Sequence, residues 1–158
     1  MIINVLFFWH KYGGGLQKIA SMSNASQLKV FIVDDDWFCR QLYHQHLLNL
    51  GIKDILLFDN GEDCLKNLDI QQPDMILLDY NMKPYNGLEV MKKIKMLYPG
   101  IYLLMISGQS DVQVAMNALQ HGAYDYIIKG EHEIETIKKV TTIIMTVIRN
   151  GRINTGTA

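Results

Sequence analysis

Five short apolar runs alternate with five stretches of helical periodicity from Leu28 onward, and this alternation fixes the fold class. The runs are Leu28–Val33, Lys53–Phe58, Met75–Leu78, Ile101–Ile106 and Tyr124–Ile128. Short apolar runs of this kind suit strands buried on both faces of a parallel sheet. Between them Cys39, Leu42, Tyr43, Leu47 and Leu50 recur at helical spacing, and Gly51 follows as a helix C-cap. Asn60 can cap a second helix carrying Cys64, Leu65 and Leu68. Val90, Met91, Ile94 and Leu97 mark a third, stopped by Pro99-Gly100. Val112, Ala115, Met116 and Leu119 mark a fourth, closed by Gly122, and the fifth spans about Glu131 to Arg149. Right-handed crossovers then give a three-layer α/β/α doubly wound sheet of five parallel strands, order 2-1-3-4-5.

Four of these runs end in chemically active side chains. Asp34-Asp35-Asp36 follows the first, Asp79 the third, Ser107 the fourth and Lys129 the fifth. In an open α/β sheet these positions share the edge where ligands bind, and the acidic groups flank the switch point between strands one and three. Each residue alone has a plain explanation: Asp36 is a helix N-cap, a lone Asp a turn residue, a Lys a surface charge. Their coincidence at one edge is the informative observation. Asp34, Asp35 and Asp79 repel one another unless a cation compensates. An oxygen-only donor set favours Mg²⁺ or Mn²⁺ over zinc. A divalent cation, an ammonium and a hydroxyl around a carboxylate suit phosphoryl transfer, with Asp79 as nucleophile.

Other chemistries fit less well. Asp34-x-Asp36 lacks the rest of a calcium loop, Ser107-Gly108 is no nucleophile elbow, and Gly13–Gly15 is not followed by G-K-[ST]. The first strand leads into three aspartates rather than a glycine turn, which argues against a dinucleotide site. Cys39 and Cys64 are far apart and outside any metal-ligand spacing, so both read as buried free thiols. His44 and His46 are two apart and point to different helix faces. A formal net charge of −1 offers no basic field for nucleic acid, and Lys92-Lys93 and Lys138-Lys139 read as solvated helix faces. No apolar stretch is long enough to span a bilayer, and Ile2–Trp9 makes a poor signal peptide, which points to a cytoplasmic protein without membrane partners.

The ordered motifs resemble the receiver domain of two-component response regulators, with the flavodoxin-like fold of the chemotaxis regulators. They are Lys29 to Asp36, Ile76-Leu-Leu-Asp-Tyr-Asn-Met82 with Gly87 beyond it, Ile106-Ser-Gly108, and Gly122 to Lys129. The resemblance implies a phosphoprotein of a phosphorelay, a signalling domain rather than an enzyme, which assists its own phosphorylation and dephosphorylation. Asp79 would be the phosphoacceptor, supplied by a sensor histidine kinase or phosphotransfer protein. Asp34, Asp35, Asp79 and the Asn81 backbone carbonyl would hold Mg²⁺ or Mn²⁺. Ser107, Lys129 and the switch aromatic Tyr126 would respond to the phosphoryl group, and Asn81 and Gln109 would tune its loss, giving moderate autodephosphorylation.

Two residues depart from the family pattern. Gly130 stands where a proline usually follows the lysine, and Lys83 takes the usual proline site after Asp79, with Pro84 next. An alternative is therefore a pseudo-receiver, a protein-interaction module that works without phosphorylation. A third is a phosphohydrolase with an aspartyl intermediate, which Asn81 disfavours because it stands where such enzymes place a general acid.

The domain is expected over residues 28–150, between a flexible N-terminal extension, 1–27, and a tail, 151–158. Met22 lies where an ordinary start would fall; the rival reading of the extension is a short membrane or partner anchor through Phe7, Phe8 and Trp9. Ile134, Ile137, Val140, Ile144 and Ile148 form a core stripe on the last helix, which Ile143, Met145 and Val147 widen. The surplus suggests that the fourth helix, fifth strand and fifth helix meet a partner: a homodimer, a downstream protein or an effector domain.

Overall fold

A computed structural model describes residues 28–155, and side chains through residue 151. The expectations for residues 1–27 and 156–158 lie outside the described residues. Strands and helices alternate without exception. They are β1 (Lys29–Val33), α1 (Trp37–Asn49), β2 (Asp54–Phe58), α2 (Gly61–Leu68), β3 (Met75–Asp79), α3 (Gly87–Leu97), β4 (Tyr102–Ser107), α4 (Val112–Gln120), β5 (Asp125–Ile128) and α5 (Glu133–Thr155). All neighbouring strands are parallel, in the order β2-β1-β3-β4-β5. The flavodoxin-like topology is the one the sequence pattern predicts.

The helix boundaries follow from side-chain chemistry. Asp36 caps α1 by accepting from the Phe38 and Cys39 N–H groups, and Asn60 caps α2 through Asp63. Asn86 and Glu89 close a reciprocal capping box on α3, each side chain taking the other's backbone N–H. Gly51 and Gly122 end α1 and α4 at positive φ, 83° and 101°. The last helix starts at Glu133 rather than Glu131 and continues to Thr155, beyond the expected Arg149 and into the expected tail.

Strand residues alternate between two cores, as a period of two requires. Phe31, Val33, Ile76, Leu78, Leu103 and Met105 pack with Cys64, Leu68, Val90, Met91, Ile94 and Ala118 of α2, α3 and α4. Val30, Ile32, Met75, Leu77, Leu104 and Ile106 are equally buried on the alternate positions. That is the α5 face, because the Thr141 hydroxyl of α5 reaches the Met75 sulfur at 4.0 Å. Ile137, Val140 and Ile144 are buried as expected, with Thr141 joining them, while Ile134 and Ile148 are only half-buried. Cys64 is buried, which pushes its thiol up to about 12, whereas Cys39 is only partly buried.

Candidate functional site

The same alternation builds the charged site. Ile32 of β1 pairs with Leu77 of β3, and two residues further along stand Asp34 and Asp79, on the same face. The ladder continues far enough to hold them: Asp34 N–H donates to the Phe58 carbonyl at 3.2 Å, and Tyr80 N–H to Ile106 at 2.8 Å. Lys129 stands two residues after the buried Ile127, with its N–H on the Ser107 carbonyl at 2.8 Å. Its long stem returns the ammonium to the acidic pair.

Lys129 Nζ lies 2.7 Å from Asp79 Oδ1 and 2.9 Å from Asp34 Oδ2. Both carboxylates are nearly inaccessible to solvent, at 3% and 1%. Their other oxygens accept backbone N–H groups, Asp79 Oδ2 from Asn81 and Asp34 Oδ1 from Asp36, both at 2.8 Å. Burial raises the Asp34 carboxyl above its ordinary value; Lys129 counters this and the Asp79 charge adds to it. Burial pulls Lys129 down, but the bonds to Asp79 and Asp34 outweigh it and hold the ammonium well above its usual range. Arg40 adds a guanidinium hydrogen bond to the Asp34 carbonyl.

Asp35 is exposed, yet one oxygen from each of Asp34, Asp35 and Asp79 lies within 4.8 Å of the others. Three carboxylates and one ammonium leave the cluster short of positive charge. An all-oxygen donor set with one open, solvated side fits a hard divalent cation. Asp36 is turned away as the α1 cap, so the third aspartate of the run serves the helix rather than the cluster.

Ser107, Gln109 and Tyr126 form a second group on the opposite alternation. The buried Ser107 Oγ accepts from Gln109 N–H at 3.0 Å, and Tyr126 OH donates to the Gln109 carbonyl at 2.9 Å. The Tyr126 ring packs partly against the α2–α4 core. The Gln109 amide reaches Asn81 Oδ1 at 3.4 Å and links this group to the loop beside Asp79. Lys83 is exposed, and its peptide bond to Pro84 is cis.

Gly87, which the Asp79 motif includes, and two residues that no motif singles out also shape the site. Gly87 sits so close to β3 that a Cβ there would collide with the Asp79 carbonyl oxygen, and its N–H donates to the Tyr80 carbonyl at 2.8 Å. Cys39 Sγ lies 3.8 Å from Lys129 Nζ. Glu133, behind Lys129, bonds Tyr43 across the α1–α5 layer.

Known proteins resemble this chain in sequence and in fold. A family model described as the response regulator receiver domain matches residues 30–141. The chain belongs to that family. Over 115 residues it is 34% identical to the DNA-binding transcriptional regulator NtrC of Proteus hauseri, covering 73% of this chain and 24% of NtrC. It is 31% identical to the luminescence regulatory protein LuxO of Vibrio campbellii, over 62% of this chain and 21% of LuxO. This receiver domain thus spans about a quarter of the length of those relatives. The fold matches a BeF3-activated DrrB receiver domain at a TM-score of 0.69 and 23% identity, over 77% of this chain and 99% of that one. It also matches NtrX of Brucella abortus at 0.71 and 22% identity, over 82% and 29%. Among the described residues no helix is long and apolar enough to cross a membrane.

Proposed function

We propose that this receiver domain is a phosphoacceptor switch in which Asp79 accepts a phosphoryl group from the phosphohistidine of a sensor kinase or phosphotransfer protein. One observation carries the reading: a buried carboxylate is held between an ammonium at 2.7 Å and a backbone N–H at 2.8 Å, with two further carboxylates beside it. A carboxylate oxygen of Asp79 attacks phosphorus as the P–N bond breaks, and the departing imidazole takes a proton. Lys129 and the Asn81 N–H orient the Asp79 carboxylate, and the ammonium brings positive charge to the side where phosphoryl oxygen charge develops. Asp34, Asp35, Asp79 and the Asn81 carbonyl would hold Mg²⁺ or Mn²⁺, which supplies Lewis acidity toward a phosphoryl oxygen.

The response falls to the second group. Ser107 exchanges its bond to Gln109 for one to the phosphoryl group, and Tyr126 follows as the Gln109 carbonyl is displaced. Asn81 and Gln109, whose amides meet, orient the water that later hydrolyses the acyl phosphate. The surface beyond Tyr126 is apolar and exposed: Val112, Met116 and Leu119 of α4, Tyr124 and Ile128 around β5, and Ile143 of α5. Three of the four periodic residues of α4 thus face solvent, Ala115 is half-buried, and Ala118 makes the buried contact. This face suits a phosphorylation-sensitive contact with a second copy, a downstream protein or an effector domain. The switch is cytoplasmic and lies within residues 28–150; among described residues, Leu28–Thr146 form one compact unit.

The test is incubation with acetyl phosphate, with and without Mg²⁺, read by intact mass. The expected result is one Mg²⁺-dependent phosphoryl adduct on the wild type and none on Asp79→Asn. A folded wild type that binds Mg²⁺ but gains no adduct would instead establish the pseudo-receiver reading.

A further inference from the structure

The loop after β5 carries a hydrogen-bonded bridge that the phosphoacceptor reading does not use. Glu133 is 9% exposed and spends both carboxylate oxygens within the protein. Oε2 accepts the Gly130 N–H at 2.6 Å, and Oε1 accepts the hydroxyl of Tyr43, itself 1% exposed, at 2.8 Å. The Glu133 N–H returns to the Gly130 carbonyl at 3.2 Å. Gly130 directly follows Lys129 and stands at φ 152°. A proline there would lack the donated N–H and require a φ near −65°. The glycine thus supplies the bond that Glu133 takes, and the carboxylate ties the residue after Lys129 to α1.

We propose that Glu133 is a positioning residue for phosphoryl transfer: by bridging Gly130 N–H and Tyr43 OH it fixes the β5–α5 loop and holds the Lys129 ammonium on Asp34 and Asp79. The proposal rests on the phosphoacceptor reading for its chemistry, but not for its geometry. Lys129 has a long stem, and its own N–H is bonded to Ser107, so only its C-terminal side is free to swing. Glu133 closes that side. Misplacing a catalytic group by about 1 Å costs on the order of a hundredfold in rate, so a loosened loop is visible in phosphorylation even when the fold survives.

The experiment compares wild type, Glu133→Ala, Glu133→Gln, Tyr43→Phe and Asp79→Asn in the full chain. Two readouts are taken: the ¹³Cε–¹⁵Nζ correlation of Lys129 in unphosphorylated protein, and the initial rate of Mg²⁺-dependent labelling by acetyl phosphate. Glu133→Ala is expected to move the Lys129 signal toward that of a solvated lysine and to slow labelling on the order of tenfold to a hundredfold. Glu133→Gln can still accept from Gly130 and donate to the Tyr43 oxygen, so it should keep both readouts near wild type. Tyr43→Phe should fall between them. A Glu133→Ala protein that melts earlier yet keeps the wild-type Lys129 signal and rate overturns the proposal and leaves Glu133 a helix-terminal brace. If Glu133→Ala does not fold, a Tyr43→Phe protein with unchanged signal and rate overturns it equally. A wild type that takes no phosphoryl group overturns the phosphoacceptor reading alone, because the Lys129 signal still reports on the bridge.

Discussion

The two groups at the sheet edge are held by different forces. Asp34 and Asp79, both nearly buried, are locked to the quarter-exposed Lys129 by ion pairs of 2.9 and 2.7 Å, each carboxylate also taking a backbone N–H. Ser107, Gln109 and Tyr126 are joined only by single neutral hydrogen bonds of 2.9 to 3.0 Å. A neutral hydrogen bond contributes about 1 kcal/mol net, whereas breaking a buried charge pair costs about 3–5 kcal/mol. The first group is therefore the rigid one, and on the proposed reading it receives the phosphoryl group. The second is cheap to rearrange, which is what a responding element needs.

Removing the lock should have the largest effect. Lys129→Met leaves two buried carboxylates unpaired; Lys129 is itself a quarter exposed, so the expected loss is about 1–3 kcal/mol in Mg²⁺-free urea unfolding. Labelling by acetyl phosphate should slow about a hundredfold or vanish. An unchanged labelling rate would show that the ammonium is structural only.

Adding the missing charge should act next. Mg²⁺ at about a hundred times its dissociation constant should add roughly 2.7 kcal/mol to unfolding stability. Asp35→Asn should weaken that response while leaving the Lys129 ion pairs intact. Chelation should return wild type to its starting stability. A melting temperature indifferent to Mg²⁺ would remove the cation from the account.

Breaking the weaker group should separate response from chemistry. Ser107→Ala loses one hydrogen bond, about 1 kcal/mol. It should still take the phosphoryl group on Asp79 but fail to change the exposure of Tyr126 or the self-association of the α4–β5–α5 face. A Ser107→Ala protein that responds fully would show that the signal leaves by another route.

The smallest effect is in alkali. Burial raises the Tyr43 hydroxyl above its ordinary value of 10, and the Glu133 carboxylate adds to this. The folded state thus holds the phenolic proton more tightly than the unfolded chain. This stability is complete below pH 10 and is lost as pH rises through the higher folded value. Tyr43→Phe should cost about 1 kcal/mol at neutral pH and show a shallower loss of stability above pH 10. Parallel pH profiles for the two proteins would exclude this ionisation from the stability curve.

The locked group was largely legible in the sequence because strand period dictates it. Asp34 and Asp79 follow Ile32 and Leu77 by two residues, and buried strands leave no choice of face. The Asp36 cap was equally plain, and so in principle was the Asn86-x-x-Glu89 capping box. The Tyr43–Glu133 bond was not, since it joins residues ninety positions apart through the packing of α1 against α5. Helical spacing identified α4 but not its orientation: Val112, Met116 and Leu119 face outward, and Ala118 makes the buried contact. Cys39 and Cys64 carry the same side chain in similar helical patterns, and only the fold separates the half-exposed thiol beside Lys129 from the inert one.

Gly87 bears on how such a chain can vary. Its Cα lies over the Asp79 carbonyl, where an added methyl would meet backbone on β3 that cannot turn aside. Gly108, one residue past Ser107, has open space around the same position. In a library covering every substitution, position 87 should return glycine alone. Position 108 should accept many residues and diverge freely between descendants. The inherited record of this site would thus preserve a residue with no side chain as firmly as the aspartate it shelters.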